Sequence, residues 1–394
     1  MAIVPSANYP GKIASDPTNY PYGKARNITV PGDGTGTPWE QDLVNDILGF
    51  QQKLLTEAGI SPSGNPDTIV ASNYWDALLD AIASNPPTPP SNINIGDPSR
   101  GLVWEQGTPA SGASWSSVAY DPDIESFVAV ADSGGSGFRV MRSVEGVEWF
   151  LRPTPADNAW KSICFGDSDK LVAVASSGSG NRAMSSDDGG VNWTIRTTPV
   201  DNSWSSVVWG ESDGLFVAVA DSGTGNRAMS SPDGTTWTIR SSSSDASWKS
   251  VCYTGTRYVA VASTGSNVMV SDNGTSWVDK AAVLEDWQSV CYSPELTRLV
   301  AVANTGTGNR VMTSDNNGDT WTSRVSAADH SWGHVIWARN RFIAFAGLEI
   351  MTSEDGITWT LISTTLGAAG AAYGNGLVVG VEVDPIISGF LATT

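Results

Sequence analysis

The sequence predicts a mainly β protein: residues 99–394 are expected to form a seven-bladed β-propeller, preceded by a small α-helical module. Three observations carry that expectation. Tryptophan recurs in two interleaved series, Trp115, Trp160, Trp204, Trp248, Trp287, Trp332 and Trp104, Trp149, Trp193, Trp237, Trp277, Trp321, Trp359, spaced mostly by 44 or 45 residues and by 38 to 40 where a loop shortens. A period of that length marks a tandem array of four-stranded units. Each unit also contains a near-continuous apolar run of strand length, such as Leu215–Ala220, which reads as a strand buried on both faces. Charged residues make up only 16% of the chain while glycine reaches 41 copies, a composition suited to short strands and tight turns.

Taken in chain order, residues 1–37 are rich in Pro, Gly, Asn and Tyr and show no periodicity, so an extended segment ordered against a partner is expected. Thr37, Pro38 and Glu40 form a capping box with proline at the first helical position. Trp39, Leu43, Ile47, Phe50 and Leu54 then keep one helical face apolar, and a second helix is expected from about Ser72 to Ala83. Two helices over 38–84 cannot bury these stripes alone, so the stripes are expected to meet copies of themselves or dock on the propeller, and the first stripe is read as an oligomer interface. Residues 85–98 form a Pro-rich linker.

Within a unit, the run Trp204–Trp209 alternates large and small residues as a strand does, the apolar strand follows, and Arg227–Ser231 and Trp237–Arg240 supply the third and fourth strands. A third aromatic position holds Tyr120, Phe165, Trp209, Tyr253, Tyr292, Trp337 and Tyr373. Six full units open at the first tryptophan series, and a seventh, from Ala371 onward, lacks its fourth strand. Gly101–Pro109 reads as an orphan fourth strand, and it is expected to complete the last blade and remove its open edge.

Composition excludes several functions. A net charge of −19 leaves nothing to neutralise phosphates or an anionic membrane surface, so neither nucleic acid nor membrane insertion is expected. The start MAIVPSANYP has no signal-peptide pattern, so synthesis in a cytoplasm is expected. Cys164, Cys252 and Cys291 share one repeat position and read as small core residues. His330 and His334 are the only histidines and form no ligand pattern. No metal, cofactor or catalytic residue is expected.

The turn before five of the second-series tryptophans carries Ser, then Asp or Asn, then Gly, and Ser143-Val144-Glu145-Gly146 before Trp149 is the weakest copy. The acidic or amide residue is Asp188, Asp233, Asn273, Asn316 or Asp355. Such residues cap tight turns through their own side chains, so the reading is structural. These turns resemble the Asp-box, or BNR, repeat of sialidase-like propellers; Ser186–Trp193 matches the longer form. That resemblance would imply a triad of arginines, a Tyr–Glu nucleophile pair, an Asp acid/base and an F/Y-R-I-P motif. Phe138-Arg139-Val140-Met141 is the nearest match and lacks the proline, so glycosidase activity is the lesser alternative.

Loops joining strands two and three emerge on the same propeller face as the connections between blades. The first set presents Arg139, Arg182, Arg227 and Arg310, and the second presents Asp157, Asp201, Asp245 and Asp329. This ring reads either as a multivalent glycan site or as a repeated salt bridge tying neighbouring blades.

The blocks Tyr20–Asn27, Pro31–Glu40, Val44–Phe50 and Ala58–Gly64 resemble the N-terminal module of bacteriophage tail-fibre and tail-spike proteins. The resemblance covers residues 9 to about 85. It implies a virion protein, with residues 1–85 attached to other tail proteins, a homotrimeric assembly, and a distal domain that binds a host cell-surface glycan or protein receptor. A non-catalytic decoration or adaptor protein is a further alternative.

Overall fold

The computed structural model describes residues 13–16, 20–25, 113–146, 148–264, 268–363, 368–381 and 389–390. The helices expected over 38–84, with Trp39, Leu43, Ile47, Phe50 and Leu54, the 85–98 linker and the strand Gly101–Pro109 lie outside the described residues. The chain divides into two compact units, Met1–Ile93 and Asn94–Thr394. In the first, β1 (Ile13–Asp16) and β2 (Tyr20–Ala25) form an antiparallel hairpin.

The second unit is a β-propeller, and no described residue is helical. Its complete blades number six, each a four-stranded antiparallel meander. Blade 1 comprises β3 (Ser114–Asp121), β4 (Ser126–Ser133), β5 (Val140–Ser143) and β6 (Phe150–Arg152), and blade 2 comprises β7 (Trp160–Phe165), β8 (Leu171–Ala175), β9 (Ala183–Ser186) and β10 (Thr194–Arg196). Blade 3 is β11 (Trp204–Gly210), β12 (Leu215–Ala220), β13 (Ala228–Ser231) and β14 (Thr238–Arg240); blade 4 is β15 (Trp248–Tyr253), β16 (Tyr258–Ala262), β17 (Val268–Ser271) and β18 (Val278–Lys280). Blade 5 is β19 (Trp287–Ser293), β20 (Arg298–Ala303), β21 (Val311–Ser314) and β22 (Thr322–Arg324); blade 6 is β23 (His334–Ala338), β24 (Arg341–Ala346), β25 (Glu349–Ser353) and β26 (Thr360–Ser363).

The expectation of seven complete blades is therefore corrected to six. The remaining sheet, β27 (Gly370–Gly374), β28 (Leu377–Val381) and β29 (Gly389–Phe390), has three strands. It sits between blades 6 and 1: Ala368, Ala371 and Val378 share a core with Ile343, Phe345 and Ile350 of blade 6, and Val379 and Val381 share one with Trp115 and Phe127 of blade 1. At Gly374 an added Cβ would lie 2.0 Å from the Tyr120 ring, so only glycine permits this approach.

The first strands of successive sheets lie side by side around the ring, with β27 between β23 and β3. Residues two places after each first-series tryptophan knit them together. The hydroxyls of Ser117, Ser162, Ser206, Ser250 and Ser289 accept from the backbone N–H groups of Ile163, Val207, Val251, Val290 and Val335 in the next blade, at 3.1–3.3 Å. In blade 6 the equivalent residue is His334, whose Nε2 donates to Ala371 O at 3.2 Å.

The core lies between blades rather than within them. The second strands are buried except at their ends, and β8 and β16 throughout, because one face meets the preceding blade and the other the following one. Val172, Val174 and Ala183 of blade 2, for example, pack with Trp204, Phe216 and Met229 of blade 3. The first-series tryptophans are fully buried at these seams. In blades 1, 3, 4 and 6 the third aromatic position packs on a second-strand ring, as in Trp209–Phe216 at 4.4 Å and Trp337–Phe342 at 4.6 Å between centroids.

Candidate functional site

The Ser–Asp/Asn–Gly turns between third and fourth strands are internally satisfied. Asp233 Oδ1 accepts from the backbone N–H groups of Thr235 and Thr236 at 2.8 Å and from Ser231 Oγ at 2.9 Å. Asp355 binds Ile357, Thr358 and Ser353 in the same way, and Asp188 binds Val191, Asn192 and Ser186. Asn273 and Asn316 reproduce the turn with an amide oxygen. In four blades the following indole donates back to the turn carbonyl, as from Trp193 Nε1 to Gly190 O at 3.1 Å, whereas Nε1 of Trp237 and of Trp277 is buried without a hydrogen-bond partner. Burial alone would raise the Asp188, Asp233 and Asp355 carboxyls. The converging hydrogen bonds outweigh it and hold all three below the usual range. These residues serve the turn geometry; none faces another in a catalytic pair.

The opposite face is built differently. In blade 2, Asp201 Oδ1 accepts the Gly180 N–H at 2.7 Å, while Arg182 Nε donates to Gly178 O and its Nη1 to Ser176 O. In blade 3, Asp245 accepts from Gly225 at 2.6 Å, and Arg227 reaches Gly223 O, Asp221 O and Ala246 O. Arg139 with Asp157 and Arg310 with Asp329 repeat the arrangement. The direct Arg–Asp separations, 3.7 to 4.0 Å, are long for an ion pair. The anticipated salt bridge is thus a loop clamp: the carboxylate ties down a glycine N–H, and the guanidinium gathers backbone carbonyls.

The clamp also runs forward. Asn202 Nδ2 donates to Asn226 O of the next loop at 2.8 Å, and Asn158 does the same to Asn181 O. At Gly223, with φ of +110°, an added Cβ would lie 2.4 Å from Asn202 Nδ2, so glycine is required where the clamp passes. The connections that carry Asp157–Asn158 and Asp201–Asn202 are therefore bonded to the loop before them and the loop after them. Blade 4 places Asn267 and Leu284 at the Arg and Asp positions, and blade 6 replaces the loop by Ala346–Gly347–Leu348–Glu349. Arg and Asp are lost together, as expected of a pair that holds one loop.

What this face offers a partner is the outer edge of the clamp. Each of the four arginines is 14 to 16% exposed and turned into the loop, whereas each aspartate is 42% exposed. Oδ1 of each aspartate is committed to a glycine N–H, and Ser136 binds the Asp157 Oδ2. The hydrogen bond from Gly137 does most to hold the Asp157 carboxyl below the ordinary carboxylate range. Phe138, Leu284, Val325 and Leu348 are exposed on the same loops and connections. The Phe138–Met141 stretch holds Arg139 in the clamp and so does not present it as an anion-binding arginine.

The three cysteines are free and lie at the seams, Cys164 against the blade 3 core, Cys252 against blade 5 and Cys291 against blade 6. Burial pushes the Cys252 thiol up to about 12 and raises the other two, which disqualifies them as nucleophiles. No helix of the described residues is long and apolar enough to cross a membrane.

Comparison with known proteins supports the fold. The chain matches no family profile, and no curated protein matches it in sequence. Solved structures do match. Virginiamycin B lyase from Staphylococcus aureus is 10% identical with a TM-score of 0.62, covering 74% of this chain and 99% of that one. YCF48 from Cyanidioschyzon merolae is 14% identical with a TM-score of 0.55, covering 73% and 98%. The GH74 enzyme of Niastella koreensis is 16% identical with a TM-score of 0.52, covering 62% and 46%. At these identities the likeness concerns the propeller fold alone.

Proposed function

We propose that this chain is a bacteriophage tail-fibre or tail-spike protein whose propeller binds a glycan receptor on the host surface. The observation that carries the binding role is the set of half-exposed aspartates, Asp157, Asp201 and Asp245 from successive blade connections and Asp329 beyond the Leu284 position, fixed on one face by the loop clamp. Carboxylates held rigidly at a surface are good acceptors for sugar hydroxyls, and Phe138 beside them offers an apolar ring to a sugar face. With the arginines bonded to backbone carbonyls, a neutral glycan suits this face better than an acidic one. The resemblance of residues 9–85 to tail-fibre modules supports the virion reading, with attachment through residues 1–85 and a homotrimer formed by the Trp39–Leu54 stripe. We read the third-to-fourth-strand turns as Asp-boxes used as scaffold, and the three-stranded sheet as a seventh blade completed by Gly101–Pro109.

Immunogold labelling of virions tests the location: label at the tail is expected, and virions free of label would overturn the reading. Saturable adsorption of the full chain to host cells, with block of infection, is expected of the receptor binder. Release of sugar from host polysaccharide would instead assign a glycoside hydrolase. A chain that does neither would be a structural adaptor.

A further inference from the structure

On the other face, between blades 1 and 2, three carboxylates converge. Oxygens of Asp121, Asp123 and Asp169 all lie within 4.8 Å of one another. Asp121 is fully buried. Its Oδ1 caps the β3–β4 turn, accepting from Asp123 N at 3.0 Å and Ile124 N at 3.4 Å. Its Oδ2 is buried without a hydrogen-bond partner. Gly189, in the adjoining turn of blade 2, covers it: an added Cβ there would lie 3.6 Å from Oδ2. The neighbouring cations Lys170 and Arg196 pair with Asp187 instead. A buried carboxylate oxygen with neither cation nor donor is costly, and native proteins rarely leave one so.

The chain contains its own control for what the turns require. At the junction of blades 5 and 6, Ser293 stands where Asp121 does, six residues after the first-series tryptophan, and its hydroxyl caps the turn by accepting from Leu296 N at 3.1 Å. Asn340, with φ of +58°, takes the place of Asp169, with φ of +59°. The places of Asp121 and Asp169 are thus taken there by neutral side chains, while Glu295 stands in the place of Asp123. The charge at Asp121 and Asp169 departs from the repeat, so the scaffold does not explain it.

We propose that Asp121, Asp123 and Asp169 form a calcium site that pins blade 1 to blade 2. The donors are all oxygens, which suits a hard cation, and Ca–O distances of about 2.3–2.6 Å place two ligands on opposite sides of the ion about 5 Å apart, as this cluster allows. Magnesium demands a tighter octahedron and holds its waters, so calcium fits better. The unpartnered Asp121 Oδ2 supplies the buried ligand, and the more exposed Asp123 and Asp169 close over it.

The test uses the full chain, stripped with EDTA, titrated with CaCl2 or MgCl2 and followed by calorimetry and thermal melting. Calcium is expected to bind with one-to-one stoichiometry and raise the melting temperature, with magnesium at least about ten-fold weaker. The variant Asp121→Ser/Asp169→Asn imports the turns of the blade 5–6 junction. It is expected to melt no lower than wild type in EDTA and to lose calcium binding by more than about ten-fold, since even outer-shell changes cost that much at metal sites. Wild-type protein without a calcium response, calcium binding that survives in the double variant, or magnesium binding as tight as calcium would each overturn the assignment. Asp123→Asn alone, which leaves Asp121 and Asp169 in place, is expected to weaken calcium binding through the loss of one ligand, and unchanged binding in it would overturn the assignment should the double variant fail to fold.

Discussion

At Asp355 one carboxylate oxygen accepts two backbone N–H groups and a serine hydroxyl, and the residue replaces a whole layer of turn hydrogen bonding. Two blades accomplish the same turn with Asn273 and Asn316, so it is the acceptor rather than the charge that the fold requires. Asp355→Ala is expected to cost about 1–2 kcal/mol in denaturant unfolding, as the loss of a helix-cap acceptor does, and Asp355→Asn less than about 0.5 kcal/mol. The charge does set the acid limit. Asp188, Asp233 and Asp355 have folded values held below the 3.8 of an unperturbed aspartate, so the unfolded chain takes up protons first as pH falls. Their stabilising contribution is therefore complete above about pH 4 and lost as pH drops through the depressed folded values. Melting temperature is expected to fall steeply below pH 4, and less steeply in Asp233→Asn. These turns were legible in the sequence because their residue order follows directly from turn chemistry. Asp121 was not: its second oxygen differs from that of a capping aspartate only in having no partner, and no sequence pattern displays that.

The element that repeats is the seam, not the sheet. The buried second strands are shared between two cores, and the first strands of blades 1 to 5 are each bonded to the next blade through a serine hydroxyl. Trp248, fully buried between blades 3 and 4, leaves a large cavity if removed: Trp248→Ala is expected to destabilise the protein by about 3–5 kcal/mol. Ser206→Ala strands the Val251 N–H and is expected to cost about 1–2 kcal/mol. His334 is the exception in the serine series. Desolvation lowers its pKa below 6.5 despite the bond to Ala371, so its neutral form belongs to the folded state. Its contribution is present above pH 6.5 and declines as pH falls. Wild type is expected to lose stability between pH 7 and 5, and His334→Ser, which restores the residue used in five other blades, is expected to remove that part of the decline. Strand positions were readable in advance because tryptophan spacing and apolar runs locate them. The loop clamp was only half readable: Arg and Asp could be paired by their repeat, but nothing in their order said that both would bond to backbone rather than to each other.

For the whole molecule, ring closure and surface are separate questions. Six complete blades and a three-stranded sheet surround the axis, and the sheet shares cores with both neighbours. A ring held by packing alone at that sheet would be its weakest point, with an open strand edge at β29 (Gly389–Phe390). Deletion of Gly101–Pro109 is expected to lower the melting temperature of the full chain and raise hydrogen exchange in β28 and β29; unchanged exchange would separate that segment from the ring. Recognition rests on the loop-clamp face. Asn in place of Asp201, Asp245 and Asp329 keeps the oxygen that binds the glycine N–H and replaces the outward oxygen by an amide. The decisive measurement is adsorption of the labelled full chain to host cells, compared between wild type and the Asp201→Asn/Asp245→Asn/Asp329→Asn variant at matched melting temperature. Loss of saturable adsorption in the variant, with the fold intact, is the predicted result. Undiminished adsorption would contradict the placing of the receptor site on this face.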